Sequence, residues 1–223
     1  EQERTMPPMQ GKDRHQSQLL QALRRKAMRI FINDQFSHIP PEELQHALTS
    51  LPDWRREKAL RFKHRQGQSE CALSYLLLQQ ALKTVYGIDS QPTFLIGEHG
   101  KPTLAEHPAI HFNLSHCRTA IACAVSDSAV GLDIECLGRY KEPLARHVLN
   151  DEEFAAVLSA PNPDIAFARY WTQKEAIVKL TGRGIDDDLK NILFKYNNVS
   201  IRTEVHADKG YVWSAACFTT SPR

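Results

Sequence analysis

The segment Val130-Gly131-Leu132-Asp133-Ile134-Glu135 sets two carboxylates two residues apart among alternating apolar positions. A period of two belongs to a strand, so Asp133 and Glu135 point to one face, roughly 7 Å apart at about 3.3 Å rise per residue. Like charges placed that way repel, and a cation or solvent must compensate them. Gly131 shares their face and leaves room there for something bulky. Taken alone, the pattern is that of a solvated edge strand. A second feature lies in residues 164–180, where Phe167, Tyr170, Trp171, Ile177 and Val178 fall on one side of a helix. Lys174 falls in the middle of that side, and Glu175 borders it. A lysine stem can snorkel over apolar surface, and Glu175 with Lys179 is an ordinary i,i+4 ion pair. Otherwise a charge beside an apolar stripe needs a partner in a cleft, because burying it alone costs several kcal/mol.

Considered together, Asp133, Glu135 and Glu175 supply three hard oxygen donors. Magnesium takes one or two such carboxylates and completes its shell with water and phosphate. Lys101, His116, Lys174 and Lys179 could hold phosphate oxygens around the ion. These are parts for phosphoryl-type transfer, in which positioning and charge neutralisation do most of the catalysis.

The elements that must carry these groups follow from periodicity and punctuation. Residues 18–32 open as a helix and finish as a strand near 28–32. Pro40-Pro41-Glu42-Glu43 and Ser50-Leu51-Pro52-Asp53 both read as helix starts. Residues 69–86 form the clearest helix, an apolar stripe stopped by Gly87. Residues 94–96 read as a short strand, and 110–114, 120–125 and 130–135 as three successive antiparallel strands. Asn150-Asp151-Glu152-Glu153 is a capping box, and the helix of 164–180 ends at Thr181-Gly182-Arg183-Gly184. Residues 192–194, 199–205 and 211–218 have strand character. The fold class is therefore α+β, with helices packed on short antiparallel sheets.

Composition narrows the function classes. A chain of 223 residues, 42% hydrophobic and 24% charged, is an ordinary globular protein rather than a disordered or fibrous one. A net charge of +2, with no recognised motif, argues against a nucleic-acid partner. No apolar run is long enough for a membrane span. Five cysteines without a C-x-x-C pair suggest neither a zinc framework nor a disulfide scaffold, so a reducing, cytoplasmic setting is expected. Residues 1–17 are expected to be a flexible polar leader.

In order and spacing, several motifs resemble the Sfp-type 4′-phosphopantetheinyl transferases. They are Gly100-Lys101-Pro102, Phe112-Asn113-Leu114-Ser115-His116, Gly131-Leu132-Asp133-Ile134-Glu135 and Trp171-Thr172-Gln173-Lys174-Glu175-Ala176 with Lys179. The likeness reaches back to Arg56-Glu57-Lys58-Ala59-Leu60-Arg61-Phe62 and covers residues 55–185. It implies two similar α/β halves packed as an intramolecular pseudo-dimer, here 18–128 and 129–223, with the active site between them and a monomeric protein. It implies transfer of 4′-phosphopantetheine from coenzyme A to a serine of an apo acyl- or peptidyl-carrier protein, releasing adenosine 3′,5′-bisphosphate. Asp133, Glu135 and Glu175 then look like ligands of Mg2+, with Mn2+ as a substitute. Lys101, Ser115, His116 and Lys179 look like contacts to the coenzyme A phosphates, and Glu153 matches a further family acid. Glu175, Lys179 and Lys174 are the expected catalytic groups. One position departs from the pattern: Glu70 stands where an arginine usually meets the 3′-phosphate. Arg55, Lys58, Arg61 or Arg65 would have to substitute for it. The same departure leaves open an alternative, a degenerate member that binds coenzyme A or a carrier protein without transfer. A metal-dependent phosphohydrolase would use similar parts.

Overall fold

The computed structural model describes residues 28–35, 39–97, 99–182 and 189–219. Strand β1 (Arg29–Asn33) is followed by helices α1 (Pro41–Thr49), α2 (Asp53–Leu60) and α3 (Arg65–Tyr86). A small hairpin, β2 (Phe94–Ile96) and β3 (Pro102–Leu104), leads to β4 (His111–His116), β5 (Ile121–Ser126) and β6 (Val130–Cys136). Then come α4 (Glu142–Val148), α5 (Asp151–Ser159) and α6 (Pro163–Thr181). A 3-10 turn at Leu189–Asn191, α7 (Ile192–Lys195) and the hairpin β7 (Val199–His206) and β8 (Tyr211–Phe218) complete the described chain. The leader, the helical opening before residue 28 and Arg183-Gly184 lie outside the described residues.

The fold is α+β, with sheets ordered β1-β5-β4, β2-β3 and β6-β8-β7, all antiparallel. Alternation along β5 explains the layering. Ile121, Cys123 and Val125 meet Leu77, Leu78, Ala81 and Leu82 of α3. Ala120, Ala122 and Ala124 point the other way, onto Leu132, Ile134, Trp213 and Ala215 of the second sheet. Small alanines let the two sheets close on each other. On the far side of the second sheet, Ala176, Ile177 and Leu180 of α6 pack with Ala216. The order is thus helix, sheet, sheet, helix.

Three expectations need correction. Helix α3 begins at Arg65 rather than Ser69, because its polar first turn shows no apolar stripe. Residues 192–194 are helical, a short apolar run that periodicity alone cannot assign. Strand β6 does not continue the β4–β5 sheet; it pairs with β8 instead. Its other edge is met by β4 side chains in place of a backbone ladder. Leu132 N donates to Asn113 Oδ1 at 2.8 Å and Ile134 N to Ser115 Oγ at 3.3 Å. Nor is β6 a solvated edge, since Asp133 is only 4% exposed. No described helix is long and apolar enough to cross a membrane.

Candidate active site

The bulky object admitted by Gly131 is helix α6. A Cβ on Gly131 would lie 1.9 Å from Ala176 O and 2.4 Å from Leu180 N. Glycine therefore lets α6 lie against the face of β6 that carries Asp133 and Glu135. One turn of α6 lowers Glu175 and Lys179 towards those acids, since residues four apart share a helix face. Hydroxyls seat the helix from below, with Thr172 Oγ1 2.8 Å from Ser214 Oγ. Gly182 ends α6 in the left-handed conformation, φ +67°.

Lys179 Nζ lies 2.6 Å from Asp133 Oδ1 and donates to Ser115 Oγ at 2.9 Å. Ser115 Oγ in turn donates to the same Asp133 Oδ1 at 3.0 Å. The other oxygen, Asp133 Oδ2, is buried without a hydrogen-bond partner. An acceptor in that condition has strong reason to take a cation. Glu135 receives the Trp171 indole N–H on Oε1 at 3.2 Å and Arg139 on Oε2 at 2.7 Å. Burial first, and then the charge of Asp133, push the carboxyls of Glu135 and Glu175 above the usual range. Lys179 partly offsets the rise at Glu175, and Arg139 that at Glu135. The three acids feel one another's charge, and Asp133, Glu135 and Glu175 line one pocket of about 330 Å3 with His116, Trp171 and Lys179. As the side chains lie, no three His, Cys, Asp or Glu among the described residues are close enough to hold one ion. The donor chemistry fits a hard divalent cation, provided that Lys179 and Arg139 give up their carboxylates.

A second cavity, about 500 Å3, shares Leu114 with the first and is lined by Trp54, Arg55, Lys58, Tyr75, Phe94 and Phe112. Its aromatic wall is edge-on, Trp54 standing 5.8 Å from both Tyr75 and Phe94. The Arg55 guanidinium lies 5.6 Å above the Tyr75 ring and donates to Cys71 O at 2.9 Å. Such a wall can stack a base while the cations hold phosphate.

Other expected site residues are employed elsewhere. Lys101 spends its ammonium on three carbonyls, Val130 O at 3.2 Å, Lys179 O at 2.6 Å and Leu180 O at 3.2 Å. It caps the C-terminal end of α6 from outside, and burial lowers its pKa. Lys174 is completely buried, 2.8 Å from Glu153, and donates to Leu189 O and Lys190 O at 3.0 and 2.7 Å. Glu153 also completes the capping box of α5. That buried pair faces away from the carboxylate pocket, which removes Lys174 from the reacting groups. Arg65 is exposed and donates to Ile39 O, fixing the start of α3. Ser115 lines the pocket, but Asp133, Lys179 and Ile134 N already occupy its hydroxyl. Glu70 does reach the site, its carboxylate 3.6 Å from His116 Nδ1 and 3.0 Å from Gln66 Nε2. Arg139 and Tyr75 escape a reading by motif. Arg139 resembles any loop charge, and Tyr75 belongs to a helix whose periodicity reads only as core.

Residues 129–218 match the sequence model of the 4′-phosphopantetheinyl transferase superfamily. A 4′-phosphopantetheinyl transferase of Bacillus subtilis is 32% identical over 59% of this chain and 60% of its own length. The 4′-phosphopantetheinyl transferase Sfp of Bacillus subtilis strain 168 is 27% identical over 65% and 66%. The 4′-phosphopantetheinyl transferase AcpT of Salmonella typhi is 38% identical over 48% and 55%. The chain therefore spans less than two thirds of the length of these relatives. Over residues 129–218, which carry β6, α6 and the β7–β8 hairpin, the chain is similar to the 4′-phosphopantetheinyl transferase superfamily, and its relatives include the Sfp-type enzymes.

Proposed function

We propose that the chain transfers 4′-phosphopantetheine from coenzyme A to a serine of an apo acyl- or peptidyl-carrier protein, releasing adenosine 3′,5′-bisphosphate. The observation that carries this reading is the meeting of three acids and Lys179 in one pocket, beside an aromatic cavity edged by Arg55 and Lys58. Asp133, Glu135 and Glu175 would hold Mg2+ or Mn2+, which when bound neutralises charge on the diphosphate. The protein's own part is positional. The cavity of Trp54 and Tyr75 takes the nucleotide, with Arg55 and Lys58 on its phosphate. His116 and Lys179 lie where phosphate oxygens would pass from that cavity to the acids. Lys179, released from Asp133, stabilises the departing bisphosphate as its charge develops. Glu175 is the proton acceptor for the attacking serine, and its raised affinity for protons suits that role. Glu175 would either help to hold the ion or accept the serine proton, since one carboxylate cannot do both at once.

The pocket draws β4 from residues 18–128 and β6 with α6 from 129–223, which supports an active site between two halves of one chain. An internal arrangement of that kind needs no second copy, so a monomer is the expected form. Five free cysteines suit a reducing cytoplasm. Incubation with Mg2+, coenzyme A and an apo carrier protein, followed by intact mass, should show one phosphopantetheine added per carrier. Tight coenzyme A binding with no mass gain would favour the non-transferring alternative, and phosphate release without a carrier would favour a hydrolase.

A further inference from the structure

Where β4 abuts β6, residues meet in pairs at a constant offset. Asn113 serves Leu132 and Ser115 serves Ile134, each pair 19 residues apart. The next pair in the series is Cys117 and Cys136, which immediately follow His116 and Glu135. Their sulfurs share one hydroxyl, Thr119 Oγ1, which lies 3.6 Å from Cys117 Sγ and 3.5 Å from Cys136 Sγ. Both are largely buried, with 8% and 9% of their surfaces exposed, at the border of the core between the two sheets. Of the other cysteines, Cys123 lies on the opposite face of β5 against α3, Cys71 is under α1 and α2, and Cys217 is on β8.

From this juxtaposition we infer that Cys117 and Cys136 form a reversible disulfide, a redox modification site tying the end of β4 to the end of β6 beside the carboxylate pocket. The oxidant is a low-molecular-weight disulfide. One protein sulfur attacks it, forming a mixed disulfide and expelling one small thiol. The second protein sulfur then attacks the mixed disulfide, forming the Cys117–Cys136 bond and expelling the other. Two electrons pass to the oxidant, and the two thiol protons leave with the small thiols. Closure needs an S–S distance near 2.05 Å and Cβ atoms about 3.8 Å apart. Both sulfurs must therefore give up Thr119 Oγ1 and turn towards each other. Glu135, the next residue along β6, then shifts against Trp171 and Arg139.

The test treats the full chain with oxidised glutathione, followed by intact mass, peptide mapping without reductant and Mn2+ titration by electron paramagnetic resonance. The expected product is lighter by about 2 Da, with one crosslinked peptide joining residues 117 and 136, and is reversed by dithiothreitol. Cys117→Ser and Cys136→Ser should each abolish it, whereas Cys71→Ser and Cys217→Ser should not. The oxidised form should bind Mn2+ about tenfold more weakly than the reduced form, an effect that rests on the carboxylates holding the ion. A lasting glutathione adduct, a crosslink elsewhere or no reaction in the folded protein would overturn the pair. A correct crosslink with unchanged Mn2+ affinity would overturn its link to the pocket. If the reduced protein binds no Mn2+, the carboxylate reading fails, while mass and mapping still judge the disulfide.

Discussion

Lys101 and Lys179 are alike in sequence, both candidates for a phosphate, yet they have opposite employment. Lys179 stands in the pocket with an acid for a partner and can exchange it for an incoming anion. Lys101 is saturated by three carbonyls at the end of α6. Lys179→Ala should therefore lower kcat/KM by about a hundredfold, as loss of one aimed charge does, and lower Tm as well, because the buried Asp133 carboxylate loses its cation. Lys101→Ala should spare the reaction. It leaves three carbonyls without their donor at a cost of about 2 kcal/mol, seen as a lower Tm, with kcat/KM kept within about threefold. Equal effects of the two substitutions on kcat/KM would contradict this division. No sequence pattern separates them, because a long flexible amine goes where distant backbone leaves acceptors free. Lys174 teaches the same thing: its place on an apolar stripe reveals burial, but only packing reveals that Glu153 is its counter-ion.

At the scale of elements, β6 and α6 are the most legible parts of the chain, each carrying a clean period. Their contact was half legible, since Gly131 advertised a space without naming its occupant. Gly131→Ala should force α6 off the strand, because the added carbon meets backbone at Ala176 and Leu180 rather than a side chain that could turn away. A loss of about 3 kcal/mol or more in denaturant unfolding is expected. A loss under about 1 kcal/mol would mean that α6 can slide. Strand partnership was much less legible. Succession in the chain favours joining β6 to β5, but β6 pairs with β8, from Val130↔Cys217 to Cys136↔Tyr211. Such long-range pairing is decided by which faces must be covered, and local alternation does not contain that information. The aromatic cavity failed to announce itself for a similar reason, as Trp54, Tyr75, Phe94 and Phe112 come from four separate segments.

For the molecule as a whole, the carboxylate pocket is a place where folding works against electrostatics. Glu135 and Glu175 hold protons more tightly when folded than when unfolded, through burial and then through Asp133. Their contribution favours folding below the ordinary glutamate range and is lost as pH rises through the raised values. A divalent cation relieves the same repulsion. Saturating Mg2+ should therefore raise Tm by roughly 5 °C at pH 8 and by clearly less at pH 5, measured by calorimetry. An equal rise at both values would show that the ion binds elsewhere. The end of β1 is held by ordinary means: Asp34, just beyond it, accepts from Lys209 Nζ at 2.6 Å and Tyr211 OH at 3.0 Å.

The side-chain junction of β4 with β6 has a bearing on solubility. Each of the two three-stranded sheets has a pair of margins, and at this junction one margin of each is concealed by the other. Among the described strands of those sheets, β1 and β7 are left as the borders at which a foreign chain could dock strand to strand. On β7 the charged side chains of Arg202 and Glu204 are paired with each other, the kind of border that discourages fibrous stacking.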